Sequence, residues 1–345
     1  MNQLNDIYKA ISSDMDDVSR CLEDIESDNN PLLSTLLNQV LENPGKRIRS
    51  TIVILSSKFY PADIDRVTKS AAAIELLHMA SMVHDDVVDE SNLRRGLPTI
   101  NAKWGSREAV LLGDHLLSKS IKLVCTTENL KMIDRFANLS LDLTIGEFDE
   151  MNYSFHLNQT RDQYLKRLRR KTASMFNVAA SAGPLLGSAP EDVVEQLGDY
   201  GYNLGMAFQI IDDILDFVGD SNRLGKPVGG DLKNGIITLP VIVLLEQYPE
   251  YKPIQDIYVR TADTENHSAN NNVLTLDRYH KYPKVNQEAL DETITFILQN
   301  GIIDQCYSIA KDYSIRAINS LNNLEANKYK KLLELTVDTM VNRDV

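Results

Sequence analysis

The sequence contains few cysteines, and their placement excludes two common structural devices. Only Cys21, Cys125 and Cys306 occur in 345 residues, and no two of them are close in the chain. An odd number of scattered cysteines predicts neither a disulfide framework nor a CxxC metal site. We therefore expect the protein to work in a reducing compartment, the cytoplasm.

The sequence also lacks an excess of basic residues and lacks long apolar runs. Its 36 lysines and arginines are outnumbered by 49 acidic residues, which gives a formal net charge of -13. Nucleic-acid binders need basic surfaces, so we expect no nucleic-acid partner. No apolar stretch is long enough for a bilayer, and the polar N-terminus MNQLNDIYKAISSDMDD has no apolar segment. We expect no transmembrane segment; peripheral contact with a membrane stays open.

Glycine and proline are sparse, and they separate long segments with helical periodicity. Because alternation of apolar and polar residues is rare, the pattern predicts an all-α fold. We expect one domain over residues 1–345, with a polar excursion near 248–286. Ser188 with Glu191 predicts a capping box at the start of one long helix.

Two acidic motifs recur far apart, each at the end of an apolar helical segment. In HDDVVDE, Asp85 and Asp89 are four residues apart and share a helix face, while Asp86 points about 100° away. FQIIDDILDF repeats the spacing with Asp212, Asp213 and Asp216. A single DDxxD motif is most often a solvated helix end, but two with apolar flanks are costly without a cation. Such carboxylates suit Mg²⁺ that also bridges phosphates.

Basic clusters accompany these motifs in an otherwise acidic chain. They lie in PGKRIRS, at Arg94 and Arg95, at Arg169 to Lys171, and at Lys226 and Lys233. One such cluster alone would be surface lysine and arginine, whereas several beside acidic motifs indicate an anion bridged to metal, with phosphate the natural candidate.

Two polar side chains lie one or two helical turns before an acidic motif. His78 precedes Asp85 by seven residues, but a lone histidine is more often a satisfied core or surface residue than a ligand. Gln209 precedes Asp212 by three residues, and its amide could bind a phosphate oxygen or, equally, a neighbouring helix. The acidic stretch GEFDEM, with Glu147, Asp149 and Glu150, is interpreted as a solvated face.

The motifs together resemble the trans-isoprenyl (polyprenyl) diphosphate synthase family, of medium- or long-chain type. GKRIR, HDDVVDESNLRRG, KTA, FQIIDDILD and GKPVGGDLKNG occur in that family's order, over roughly residues 40–245. The resemblance implies the isoprenoid synthase type I fold, a helical bundle around a deep central cavity, usually as a homodimer. It also implies a prenyltransferase that adds isopentenyl diphosphate head to tail to an allylic diphosphate.

The resemblance also implies a role for each matching residue. Mg²⁺ ligands would be Asp85, Asp89 and Asp212, with Asp86, Asp213 and Asp216 supporting. The allylic diphosphate would be held by Arg94, Lys171, Gln209 and Lys226, with Thr172 beside the developing cation. Isopentenyl diphosphate would be held by Lys46, Arg49, His78 and Arg95.

Two positions bear on product length, and two others depart from the family pattern. Ala80 and Ser81, the fifth and fourth residues before Asp85, are small where short-chain members tend to place aromatic residues. We therefore expect a product longer than geranylgeranyl diphosphate. Ile236 stands where many members have lysine, and Glu150 where glutamine is frequent.

Two alternatives remain open at this stage. A non-catalytic or partner-dependent subunit of a heteromeric synthase would typically lose aspartates from one motif, whereas both are intact here. A terpene cyclase binds no second diphosphate and seldom keeps both GKRxR and RRG features, so it is the weaker alternative.

Overall fold

The computed structural model describes residues 2–25, 29–42, 45–94, 96–219, 228–259 and 283–341. This part of the chain is helical apart from turns and two short strand pairs, which confirms the all-α prediction. The predicted excursion falls partly outside the described residues, because 260–282 do. Within the described chain, no helix has the length and apolar character required to cross a bilayer.

The first helices run from the N-terminus through the first acidic motif. They are α1 (Asn2–Ala10), α2 (Ser12–Glu23), α3 (Pro31–Leu41), α4 (Ile48–Ser57) and α5 (Ile64–Val88). A hairpin of β1 (Leu93–Arg94) and β2 (Leu97–Pro98) follows, then α6 (Ile100–Trp104), α7 (Ser106–Cys125) and α8 (Leu130–Tyr153).

The remaining elements contain the second motif and the C-terminal helices. They are α9 (Arg161–Leu168), a π-helical turn (Arg169–Ala173), α10 (Ser174–Leu186), α11 (Glu191–Val218), α12 (Gly230–Lys233), α13 (Leu239–Gln247) and a 3₁₀ turn (Pro253–Asp256). A second strand pair, β3 (Tyr258–Val259) and β4 (Lys284–Val285), precedes α14 (Gln287–Gln299), α15 (Ile302–Ser320) and α16 (Lys328–Val341).

The predicted capping box is wrong. Helix α11 begins at Glu191, so Ser188 lies too early to cap it, and Glu191 instead pairs with Lys131 at 2.6 Å. Pro190 explains the shift: its carbonyl accepts from the N–H groups of Val193 and Val194, and proline favours helix starts.

The chain divides into two compact units, and the prediction of a single domain stays untested. The first unit comprises Met1–Glu147, Arg167–Gln209 and Ala310–Asp344. The second comprises Phe148–Lys166, Ile210–Ile309 and Val345.

Helix α5 forms the centre of the first unit. It packs against α2, α4, α7 and α10 and is apolar on nearly every side, as expected of a helix enclosed by others. Asp63 caps its start by accepting from the Asp65 N–H at 2.9 Å. The helix ends at Val88, because Glu90 adopts a left-handed φ of 49°. Asp85 and Asp86 therefore lie in its last turn, and Asp89 directly follows it.

Two glycines allow close helix contacts in this unit. A Cβ on Gly113 of α7 would lie 2.1 Å from Nε2 of His84 on α5. A Cβ on Gly183 of α10 would lie 2.3 Å from the Ser57 backbone nitrogen on α4. At Gly183 the close atom belongs to the backbone, so no side chain fits there; at Gly113 a side chain would require the His84 ring to move.

The second unit buries the apolar side of the second motif. Ile210, Ile214 and Phe217 are almost fully buried, and so are the α13 residues Leu239 to Leu244. Gly229, with φ of 72°, lets the chain turn into α12 and donates its N–H to the Asp216 carbonyl at 2.8 Å. The turn therefore fixes α12 beside the end of α11.

Candidate active site

The first acidic motif presents its three aspartates in three different environments. Asp86 is 6% exposed, Asp85 is half-buried and Asp89 is exposed. Asp86 accepts from Nε of Arg94 at 2.9 and 3.0 Å, and from Nη2 at 2.8 Å. This pairing satisfies the charge of the inward-pointing aspartate and holds the β1–β2 hairpin against α5. Arg94 and Asp86 thus form an ion pair. Asp85 and Asp89 share a different face of the helix, about 100° away from Asp86.

The ionisation of Asp85 is strongly altered by its surroundings. Burial raises its pKa to about 7, Lys171 and Arg94 lower it, and Glu147 and Asp89 raise it further. A buried acid beside other acids accumulates negative charge that a cation would neutralise. The environment of Asp85 therefore fits a divalent metal.

Glu147 belongs to this site, contrary to the interpretation of GEFDEM as a solvated face. Glu147 is half-buried, its carboxylate accepts from Lys171 Nζ at 2.7 Å, and its oxygen lies within 4.8 Å of an Asp89 oxygen. The glycine at position 146 is the sequence feature that could have indicated this contact. A Cβ at Gly146 would lie 2.8 Å from Cγ of Lys171, so a larger residue would not fit there without a shift. Helix α8 approaches the Lys171 segment closely at that glycine.

Lys171 and Thr172 lie in a π-helical turn, a local irregularity that often marks functional sites. Thr172 is buried and donates its hydroxyl to Oε1 of Gln209 on α11 at 2.9 Å. Gly205 permits this contact, because a Cβ there would lie 2.7 Å from the Ala173 Cα. The structure therefore places Gln209 against Thr172, the chain neighbour of Lys171.

The second motif repeats the pattern of one buried aspartate between two less buried ones. Asp213 is 4% exposed and accepts from the Tyr164 hydroxyl at 2.7 Å, whereas Asp212 and Asp216 are half-buried. Oδ2 of Asp216 accepts from the Asp231 backbone N–H at 3.1 Å. Ile236 follows this turn and donates its N–H to the Asp231 carbonyl at 2.9 Å. Ile236 therefore holds this turn through its backbone N–H and offers no polar side chain.

The predicted isopentenyl-binding segment is held by the N-terminal helices. Tyr8 of α1 donates its hydroxyl to the carbonyl of Lys46, and Arg47 donates to the Ser19 hydroxyl of α2. Arg47 has a left-handed φ of 42°, directly before α4. Lys46 itself is exposed, as a residue that meets an incoming anion would be.

The next residues of this segment contact α5 and α10. The Arg49 guanidinium lies 4.9 Å from the centroid of the Phe176 ring, within cation–π range. Buried Glu75 of α5 accepts from the Ser50 N–H at 3.0 Å. His78 lies one turn beyond Glu75 and is half-buried.

The remaining predicted residues divide between buried positions and positions outside the described chain. Ala80 is 2% exposed, and Ser81 is half-buried with its hydroxyl donated to the His78 carbonyl at 3.0 Å. Arg95 and Lys226 lie outside the described residues.

Comparison with known proteins adds a family assignment to this geometry. A family model described as "Polyprenyl synthetase" matches residues 30–275. The chain is 34% identical over 332 residues to heptaprenyl diphosphate synthase component 2 of Geobacillus stearothermophilus, covering 96% of each protein.

Solved structures agree with the sequence relatives. Heptaprenyl diphosphate synthase from Staphylococcus aureus superposes with a TM-score of 0.85 at 30% identity, covering 97% of this chain and 99% of that one. Polyprenyl synthase from Caulobacter crescentus CB15, complexed with calcium and isoprenyl diphosphate, gives 0.84 at 30% identity, covering 99% and 98%. The likeness extends over almost the whole chain, so the fold class predicted from the motifs is confirmed.

Proposed function

The chain belongs to the polyprenyl synthetase family, and from this premise we infer the chemistry of its sites. It is a trans-polyprenyl diphosphate synthase, a prenyltransferase that adds isopentenyl diphosphate units head to tail to an allylic diphosphate and releases diphosphate. The observation that carries this conclusion is the family match over residues 30–275, which contains both intact aspartate motifs.

We propose Mg²⁺ as the cofactor, bound by Asp85, Asp89 and Asp212, with Asp86, Asp213 and Asp216 as supporting residues of the two motifs. Support comes from the donor chemistry, since Mg²⁺ prefers carboxylate oxygens and substrate phosphates. It also comes from the raised pKa of Asp85, which burial raises first and the charges of Glu147 and Asp89 raise further, so a bound cation would favour the ionised carboxylate. When bound, Mg²⁺ supplies positive charge that stabilises the departing diphosphate.

Protein cations are proposed to divide between the two substrates. Arg94, Lys171, Gln209 and Lys226 hold the allylic diphosphate, whereas Lys46, Arg49, His78 and Arg95 hold isopentenyl diphosphate. The ion pair between Glu147 and Lys171 supports the assignment of Lys171 to the allylic diphosphate, because it fixes the Lys171 ammonium near Asp85. Arg94 uses Nε and Nη2 for Asp86, so its Nη1 is the nitrogen assigned to phosphate.

The proposed reaction breaks the carbon–oxygen bond of the allylic diphosphate, and its electron pair leaves with the diphosphate. Lys171 and Arg94 then meet more negative charge than in the ground state, so they favour the transition state. Thr172, whose hydroxyl is oriented by Gln209, lies beside the allylic cation. The alkene of isopentenyl diphosphate attacks that cation, and the adjacent carbon then loses a proton to the released diphosphate, which restores a double bond.

The product is longer than geranylgeranyl diphosphate in our proposal. Ala80 and Ser81 offer little bulk where the growing chain would descend from Asp85, and relatives include heptaprenyl diphosphate synthases. Location in the cytoplasm is supported by the scattered cysteines, all three of which are free thiols.

We also propose a homodimer, supported by apolar side chains left exposed on two helices. Val110, Leu111 and Ile121 of α7 are 42%, 59% and 46% exposed, and Leu141 and Ile145 of α8 are 61% and 41% exposed. Surfaces of this kind typically mark protein contacts.

The relative from Geobacillus stearothermophilus is named a component of heptaprenyl diphosphate synthase, which favours a partner-dependent subunit as the second candidate function.

Product analysis with purified protein tests the proposal and separates the candidates. Radiolabelled isopentenyl diphosphate, Mg²⁺ and a single allylic primer should give a polyprenyl diphosphate in the absence of any second protein. Asp85→Ala and Asp212→Ala should each lower kcat by at least about 100-fold, because the transition-state charge loses its metal. Asp134→Ala, an exposed acid on α8, is the control and should keep normal activity.

The two negative outcomes have different meanings. Activity of Asp85→Ala at the wild-type rate contradicts the metal assignment. Wild-type protein that turns over only after a second chain is added supports the partner-dependent subunit instead.

A further inference from the structure

Both acidic motifs contain one aspartate that does not face solvent. Asp86 is 6% exposed and Asp213 is 4% exposed, whereas their neighbours in each motif are half-buried or exposed. A buried carboxylate is costly unless it accepts hydrogen bonds, so each must be held by a partner inside the protein. The identity of that partner differs between the motifs.

In the second motif a neutral side chain donates one such hydrogen bond. The Tyr164 hydroxyl donates to Oδ2 of Asp213 at 2.7 Å, and Tyr164 is fully buried on α9. Tyr164 lies outside every motif singled out in the sequence. Both residues belong to the same compact unit, together with Asp212 and Asp216.

The helical geometry links this hydrogen bond to the two flanking carboxylates. Asp212 and Asp216 are four residues apart and share one face of α11, and Asp213 projects about 100° away from Asp212. A bond that fixes Asp213 therefore fixes the rotation of the helix about its axis at this turn. The other end of the motif is fixed by the Asp231 N–H, which donates to Asp216.

We propose that Tyr164 is a positioning residue, which orients Asp212 and Asp216 toward Mg²⁺–diphosphate by anchoring Asp213. The inference rests on the proposed function, since it assumes that this motif binds the metal. Asp213 then serves mainly as the anchor, and Asp212 and Asp216 as the carboxylates presented to the cation. Partners that orient metal-binding carboxylates typically account for about 10- to 100-fold in metal affinity.

The test is calorimetric binding of inorganic pyrophosphate in the presence of Mg²⁺, which needs no turnover. Tyr164→Phe removes one oxygen, and we expect the dissociation constant to rise about 10-fold. Tyr200→Phe is the matched control: Tyr200 is also fully buried, but its hydroxyl donates to the Leu333 carbonyl at 2.8 Å. The control should lower the thermal midpoint and leave the dissociation constant unchanged.

A second comparison keeps the proposal testable if Tyr164→Phe does not fold. We expect Asp213→Ala, which removes the acceptor of the Tyr164 hydroxyl, to weaken pyrophosphate binding by about 10-fold, and Asp212→Ala to abolish it, because Asp212 is the residue presented to the metal. Where Tyr164→Phe folds, adding it to Asp213→Ala should weaken binding by less than about twofold more, since both substitutions remove the same hydrogen bond.

Three results would overturn the inference. They are an unchanged dissociation constant in folded Tyr164→Phe, an equal loss of affinity in Tyr200→Phe, and complete loss of binding in Asp213→Ala. Failure of the wild-type protein to bind pyrophosphate with Mg²⁺ is a separate outcome, and it overturns the proposed function together with the inference.

Discussion

The ionisation of Asp85 should give the enzyme a measurable pH dependence. Burial raises the pKa of this carboxyl to about 7, so below that pH the folded protein holds a proton that Mg²⁺ must displace. We expect apparent Mg²⁺ affinity to increase up to about tenfold per pH unit on the acidic side and to level off above the pKa. Magnesium titrations of activity at about pH 6, 7 and 8 measure this.

The same shift determines how stability changes with pH in the absence of metal. The unfolded chain releases this proton near 3.8, whereas the folded chain keeps it to about 7. Stability of the metal-free protein should therefore fall as pH rises between these values. Glu147→Gln removes one of the charges that raise the pKa, so it should move both curves to lower pH. An apparent Mg²⁺ affinity that does not change between about pH 6 and pH 8 contradicts the assignment of Asp85 as a metal ligand.

Ala80 carries the prediction about chain length. The side chain is 2% exposed, so a ring placed there must occupy interior space. If the growing chain passes this residue, Ala80→Phe should shift the longest product to shorter polyprenyl diphosphates, as read by chromatography. Ala326→Phe, at an exposed position before α16, is the control and should leave the product unchanged. An unaltered product from folded Ala80→Phe is inconsistent with the role of this face.

At the scale of elements, α1 and α2 support the segment before α4. Tyr8 donates to the Lys46 carbonyl, and burial, followed by the charge of Glu75, raises the pKa of Tyr8 to about 12. The hydroxyl therefore stays protonated and remains a donor at neutral pH. Tyr8→Phe should raise KM for isopentenyl diphosphate several-fold, with little change in kcat or in KM for the allylic primer.

Steady-state kinetics with each substrate varied in turn tests this support. Tyr313→Phe is a suitable control, because Tyr313 contacts Arg316 on α15 rather than the segment before α4. Equal increases in both KM values would indicate a general loss of structure. Such a result argues against a specific effect on Lys46.

Some element-level features could be predicted from sequence, and others could not. The end of α5 at the first motif followed from periodicity and from the loop residues after it. Glu147 was missed because its burial depends on α8 approaching Lys171, a contact between segments distant in sequence. Tyr164 was missed for the same reason, since its hydroxyl meets Asp213 49 residues away.

At the scale of the whole molecule, self-association is the main open prediction. Leu141 and Ile145 are exposed one turn apart on α8, and a second copy of the chain would remove them from water. Double substitution to glutamate should convert a dimer to a monomer in sedimentation velocity. Ile315→Glu is the control, because Ile315 is an apolar side chain on α15 that is 46% exposed. This substitution should leave the dimer intact. A wild-type monomer would contradict the homodimer.

The sequence alone determined the helical class, the two aspartate motifs and the family, because these depend on periodicity and on short-range spacing. Tertiary structure decided which acids are buried, which partners hold them, and how ionisation is altered. Asp86 and Asp213 occupy equivalent places in their motifs, yet one is held by an arginine and the other by a tyrosine. Burial and pairing arise from contacts between distant segments, and local spacing carries no information about them.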